Sequence, residues 1–151
     1  MNFKKALKDT CFSVNLQGNT KSGIIKELVE LMAAAGKIKD KQAALRCVLD
    51  REKKMSTGMQ HGVAIPHGKT DGVDGLVAAV GLKKEGVDFG SQDGQPSRIF
   101  VMTISSTNRT GPHMEYLAEI SKLLSNPLIR ERVLEAKNAE DIVAVFTGEQ
   151  P

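Results

Sequence analysis

Tryptophan is absent from this 151-residue chain, and tyrosine occurs once, at Tyr116. Binding of single-stranded nucleic acid rests on several aromatic stacking platforms, so this composition argues against it. Cysteine occurs twice, at Cys11 and Cys47. The two stand far apart and form neither a disulfide framework nor a CxxC metal or redox motif, so both read as reduced thiols. Nowhere do about eighteen apolar residues run together, the length a membrane-spanning helix needs. The N-terminal stretch MNFKKALKDTCF also lacks the apolar core of a signal peptide. The expectation is a soluble, cytoplasmic protein with no direct membrane insertion. A dominant charge is missing too: 21 Lys and Arg stand against 18 Asp and Glu, for a net +3. The cations are scattered rather than gathered in a stripe, so nucleic acid is not an expected partner, although the small excess suits docking to an acidic protein.

The length fits one domain, expected to run over residues 1–151, and suffices to bury about two thirds of the unfolded surface around a core. Helical spacing of Ile24, Ile25, Leu28, Val29, Leu31 and Met32 predicts a helix that Gly36 stops. A second helix is expected from an N-cap at Asp40 through KQAALRCVLDREKK, with Ala44, Cys47 and Val48 facing inward. The pattern then shifts to short apolar runs, GVAIP, GLVAAVGL and RIFVMTISS, which read as strands. The last two are almost wholly apolar, as in strands covered on both faces. A short edge strand is expected around Val87 to Phe89. Three helical stretches follow, PHMEYLAEISKLLS, NPLIRERVLEAK with Asn126 as N-cap and Pro127 in the first turn, and AEDIVAVFTG. The order argues for a single α/β domain with a mixed central β-sheet and helices on both faces. Met102 and Met114 are expected in the core.

Two of the three histidines, His61 and His67, fall within the stretch MSTGMQHGVAIPHGK. His67 is expected at the end of a buried strand where the chain turns outward. Pro66 stiffens its mount, and Gly68 lets another molecule approach the backbone. An imidazole so placed can serve as general base, metal ligand or nucleophile. A metal would want a second ligand at helical or turn spacing. His61 lies across a strand, and Asp71 and Asp74 lie in a separate turn, so no metal is expected, with a hydrolase using His61, His67 and Asp71 left as the outlying alternative. No GxSxG, Walker or GxGxxG motif occurs. A histidine that itself carries a phosphoryl group needs only an outward nitrogen, a second nitrogen fixed by a hydrogen bond, and donors or cations for the phosphoryl oxygens. Arg51, Thr57, Lys69 and His113 are polar residues available for that purpose.

Arg51-Glu52, Ser56-Thr57-Gly58 and above all GVAIPHGK, from Gly62 to Lys69, resemble the active-site signature of the fructose/mannitol-type (type 2) enzyme IIA domains of the bacterial phosphoenolpyruvate-dependent sugar phosphotransferase system, or PTS, including the nitrogen-regulatory IIA relatives. The resemblance extends over essentially the whole chain, with HMEYLAEISKLL, His113 to Leu124, similar to that family's later histidine-led helix. It implies the mannitol/fructose-type IIA fold and a phosphocarrier without metal or organic cofactor. In that reading His67 accepts a phosphoryl group on Nε2 from an HPr-type carrier and passes it to an enzyme IIB. It further implies that His113 bonds the phosphoryl oxygens or the acceptor imidazole, that Arg51 offsets charge, and that Thr57, Gly68 and Lys69 bind the phosphoryl group. The alternative it carries is a nitrogen-regulatory protein that controls other proteins by phosphorylation-dependent binding. One departure is Gln60, where the family commonly has glycine, followed by His61 in place of asparagine or serine. The larger Gln60 is expected to narrow the approach to His67 or alter partner choice, and His61 to be an exposed loop residue, with a place beside the site where it tunes the charge of His67 as the alternative. A rim of exposed apolar residues is expected around His67 if partners dock there.

Overall fold

Five helices start where a short polar side chain, Asn2, Thr20, Asp40, Asn126 or Asn138, accepts from a free backbone N–H. The structure, a computed structural model, describes residues 2–108 and 110–149, without the side chains of Thr110 and Pro112. Among these residues the elements run α1 (Phe3–Lys8), β1 (Cys11–Ser13), α2 (Lys21–Ala34), α3 (Lys41–Lys54), β2 (Val63–Ala64), β3 (His67–Lys69), β4 (Leu76–Val87), β5 (Ser97–Ser105), α4 (Thr110–Leu124), α5 (Pro127–Leu134) and α6 (Ala139–Thr147). Thr20 caps α2 by accepting from the Gly23 N–H, and Asp40 caps α3 through Ala43. Asn126 and Asn138 do the same for α5 and α6. Past the end of α2, Gly36 takes a left-handed conformation (φ 75°), and the Lys37 N–H returns to the Met32 carbonyl over 3.1 Å.

The strands form one mixed sheet in the order β1-β4-β5-β2, with β3 also paired to β5. β1 runs parallel to β4, β4 antiparallel to β5, and both β2 and β3 parallel to β5. Side chains alternate across a strand, which divides β5 between two cores. Phe100, Met102 and Ile104 pack with Ile25, Leu28 and Val48 beneath α2 and α3. Ile99 and Val101 pack on the opposite face with Tyr116, Ile120, Val133 and Phe146 of α4 to α6. The sheet is covered on both faces, as its apolar strands predict. By the same alternation, Thr103 and Ser105, both fully buried, belong to the α4 face. No helix among the described residues is long and apolar enough to cross a membrane.

Several expectations differ from what forms. α1 and β1 lie in an N-terminal stretch that carries too little periodicity to announce them. The run GVAIP does not make one strand: β2 ends at Ala64, and pairing to β5 resumes at His67. Pro66 causes the interruption, because it has no N–H to donate, though its carbonyl still accepts from Thr103 over 3.2 Å. No separate edge strand forms at Val87 to Phe89. Val87 closes the 12-residue β4 beyond an irregularity after Leu82, and Phe89 is a buried core residue outside any strand.

Candidate functional site

His67 opens β3 rather than ending a strand, and the register of β3 decides what surrounds it. His67 lies beside Thr103, Gly68 beside Ile104, and Lys69 beside Ser105. His67 and Lys69 therefore share the α4 face with Thr103 and Ser105, while Gly68 faces α3. A Cβ on Gly68 would lie 2.6 Å from Cys47 Sγ and 3.0 Å from the Cys47 carbonyl carbon. What the missing side chain admits is the backbone of α3, not an incoming molecule.

The half-buried His67 ring is fixed by its own chain. Its Nδ1 lies 2.8 Å from the Ile65 carbonyl oxygen. A carbonyl can only accept, so Nδ1 carries the hydrogen, and in the neutral ring the lone pair stands on Nε2. The break at Pro66 makes this possible, since it leaves the Ile65 carbonyl outside the strand ladder and within reach of a ring two residues later.

His113 comes from α4 and meets His67 edge-on, with ring centroids 5.6 Å apart and planes at 74°. It is only 3% exposed. Its Nε2 lies 3.3 Å from Thr103 Oγ1 and its Nδ1 3.1 Å from Ser105 Oγ. Both nitrogens are thus engaged by β5 hydroxyls, and neither is hydrogen-bonded to the His67 ring. Burial, with the added repulsion of His67 and Lys69, pushes the His113 imidazolium down from its ordinary 6.5 to about 4. At neutral pH the ring is uncharged.

A groove of about 760 Å³ runs along the exposed edge of β3 between α3 and α4. His67 and His113 face it, and α3 contributes Asp50, Arg51 and Lys54. With Lys69, three cations stand against one carboxylate, a balance that favours an anion. The Arg51 guanidinium donates to the Met55 carbonyl over 2.7 Å, which ties it to the end of its own helix beside the groove. Cys47 also lines the wall, but burial and Asp50 push its thiol up to about 11, so it is not a thiolate nucleophile.

A family model described as "Phosphoenolpyruvate-dependent sugar phosphotransferase system, EIIA 2" matches residues 5–148. The chain belongs to this family. It is 35% identical over 146 residues to the PTS system fructose-specific EIIABC component of Bacillus subtilis, covering 97% of this chain and 23% of that longer protein. The crystal structure of nitrogen regulatory protein IIA-Ntr from Neisseria meningitidis superposes with a TM-score of 0.79 at 27% identity, covering 93% of this chain and 94% of that one. The IIA chain in a complex of enzyme IIA and phosphorylated enzyme IIB for mannitol, from Escherichia coli, shares the fold with a TM-score of 0.77 at 20% identity, covering 91% and 94%.

Of the residues that the resemblance assigns to a phosphoryl site, His67, His113, Arg51, Gly68 and Lys69 line the groove, and Thr57 does not. Thr57 is 3% exposed, and both its hydroxyl and its N–H donate to the carboxylate of Glu52, which also receives Lys21 Nζ at 2.9 Å. The neighbours Arg51 and Glu52 point apart because successive helical residues are turned by about 100°. One reaches the groove and the other ties α3 to the turn at Thr57 and to α2.

Met102 is buried as expected, but Met114 is 59% exposed and lines the groove, an apolar residue on its rim. Gln60 and His61 line a neighbouring hollow with Met59 and Ser125, which adjoins the His67 groove at Ile65 and Ser121; Gln60 is not among the residues lining the groove itself. His61 and Gly62 have φ of 62° and 78°, and the Val63 N–H closes on the Gln60 carbonyl at 3.4 Å, the form of a type I′ hairpin turn. His61 also donates its N–H to Asp93 over 2.9 Å. Asp71 is held by the N–H and hydroxyl of Thr107. Among the described residues no three His, Cys, Asp or Glu side chains gather, so His61, His67 and Asp71 do not share a centre.

Thr103 and Ser105 were not foreseen at the site. Their signal was present in RIFVMTISS: Thr103 and Ser105, spaced by two residues in a mostly apolar strand, fall on one face.

Proposed function

We propose that this chain is a cytoplasmic phosphocarrier of the PTS, accepting a phosphoryl group from a phosphorylated HPr-type protein on His67 Nε2 and passing it to an enzyme IIB. The observation that carries this reading is the Nδ1–H bond to the Ile65 carbonyl, which leaves the Nε2 lone pair as the nucleophile. As Nε2 forms its bond to phosphorus, the P–N bond of the donor phosphohistidine breaks, and the departing nitrogen keeps the electron pair. The in-line displacement asks for positioning and charge stabilisation and uses no cofactor. Arg51, Lys54 and Lys69 surround the groove with positive charge for the phosphoryl oxygens. Met114 gives a docking protein an apolar contact beside the reacting nitrogen.

The similarity to IIA-Ntr over 93% of the chain favours a second reading, in which phosphorylation of His67 governs binding to a regulated protein. Intact-protein mass spectrometry after incubation with phosphoenolpyruvate, enzyme I and HPr tests the first step. Wild type is expected to gain one acid-labile phosphate and His67→Ala none. A phosphorylated chain that transfers its phosphate to an enzyme IIB supports the carrier; one that keeps the phosphate and changes its affinity for a regulated protein supports the second reading.

A further inference from the structure

The two β5 hydroxyls explain how the site can hold a neutral His113 and still tolerate a dianionic neighbour. A neutral imidazole offers one donor and one acceptor nitrogen, whereas an imidazolium offers two donors. A serine or threonine hydroxyl can donate or accept by rotating about its C–O bond. His113 is bracketed by two such groups, Thr103 Oγ1 on Nε2 and Ser105 Oγ on Nδ1. In the neutral ring one hydroxyl donates and the other accepts; in the charged ring both accept. A carbonyl in either place would fix the tautomer, and a carboxylate would fix the charge. Both residues are fully buried on β5, which is paired on one side to β4 and on the other to β3.

We propose that Thr103 and Ser105 are positioning residues that hold His113 edge-on to His67 in both protonation states, so that a phosphoryl group arriving on His67 is matched by a proton taken up at His113. This rests on the phosphocarrier reading given above. The arriving group forms one P–N bond at His67 Nε2 as the donor's P–N bond breaks. The proton comes from solvent and joins whichever ring nitrogen of His113 lacked one.

The charges around His113 agree. Lys69 and the His67 ring face it from β3, and Arg51, Lys54 and Asp50 face the same groove from α3. On the sheet side, β4 sets Leu76 and Ala78 beside Ser105 and Thr103, and neither carries charge. In the unphosphorylated protein burial above all, then the His67 ring and Lys69, keeps the ring uncharged at neutral pH. A dianion bonded to His67 places a negative charge beside the ring, whose centroid lies 5.6 Å from that of His67, and an opposite charge at such range raises an imidazole pKa by about 1–3 units.

The test follows His113 by ring 15N and 13C chemical shifts across pH 4 to 8 in about equal steps, in wild type before and after phosphorylation by phospho-HPr, and in His67→Glu. The glutamate places a negative charge at position 67 with no phosphoryl donor. The expected result is a rise of the His113 midpoint by about 1–3 units in both the phosphorylated protein and His67→Glu. Ser105→Ala and Thr103→Val are expected to slow phosphoryl uptake by about 10- to 100-fold and to change its pH profile. Ser105→Thr and Thr103→Ser, which keep the hydroxyls, are expected to restore both. A His113 midpoint unmoved in His67→Glu, or wild-type rate and profile in both hydroxyl deletions, overturns the proposal. If wild type takes up no phosphate but the midpoint rises in His67→Glu and rises less when Ser105→Ala or Thr103→Val is added to it, the phosphocarrier reading fails and the hydroxyl cradle stands.

Discussion

One carbonyl oxygen decides which nitrogen of His67 carries the hydrogen. The Ile65 carbonyl lies 2.8 Å from Nδ1 and, in the neutral ring, leaves the lone pair on Nε2. The sequence showed that a histidine followed VAIP, but not that Pro66 would interrupt the strand and turn that carbonyl toward the ring. A second residue-scale feature is His61, whose φ of 62° places a side chain in the left-handed region. The type I′ turn it forms with Gly62 strongly prefers Asn-Gly. His61→Asn is therefore expected to stabilise the protein by about 0.5–1 kcal/mol, by relief of backbone strain. Chemical denaturation would read the gain, and phosphoryl uptake is expected to stay at the wild-type rate because His61 lies outside the His67 groove.

At the scale of elements, β3 is set by what α3 places against it. Gly68→Ala would put a Cβ 2.6 Å from Cys47 Sγ and 3.0 Å from a backbone carbon that cannot rotate away. The strand and helix must separate, at an expected cost of about 1–3 kcal/mol, with a loss of phosphoryl uptake because His67 moves with the strand. Unfolding curves measured alongside uptake check both. The end of α3 depends on Glu52, a buried carboxylate that accepts from Lys21 and twice from Thr57. Glu52→Ala strands those donors and is expected to lose about 2–4 kcal/mol in urea unfolding. Thr57→Val removes only the hydroxyl bond and is expected to lose about 1–2 kcal/mol. These pairs show why part of the site was legible and part was not. Arg51-Glu52 and Ser56-Thr57-Gly58 could be recognised as a pattern, yet a linear pattern does not say which member faces solvent. Thr57 carries the right hydroxyl for a phosphoryl donor and spends it on Glu52. The helices α2 to α6 were readable because caps and apolar spacing lie within one segment, whereas β1 is three residues long and exists only through its pairing with β4.

For the whole molecule, the sheet brings together at one groove residues from β3, α3 and α4, which no local pattern could join. The burial that makes His113 uncharged also links stability to pH. Its imidazole is held at about 4 in the folded chain against an ordinary 6.5. Between those values the unfolded chain binds the proton and the folded chain does not, so stability is full above about pH 6.5 and declines as pH falls toward 4. The loss is on the order of 3 kcal/mol. His113→Gln removes the titration, so the difference in unfolding free energy between wild type and this variant is expected to shrink by that amount over the same pH range. A difference that stays constant from pH 7 to about 4 would show that His113 takes up its proton without hindrance in the folded protein.

The account stands most directly on the position of the phosphate. The chain would be phosphorylated with phosphoenolpyruvate, enzyme I and HPr, then observed by 31P and 15N NMR with His67→Ala as reference. The geometry predicts a single phosphohistidine at His67, bonded through Nε2, with the Nδ1–H retained. Phosphate on Nδ1 of His67, on His113 or on any other residue would contradict it.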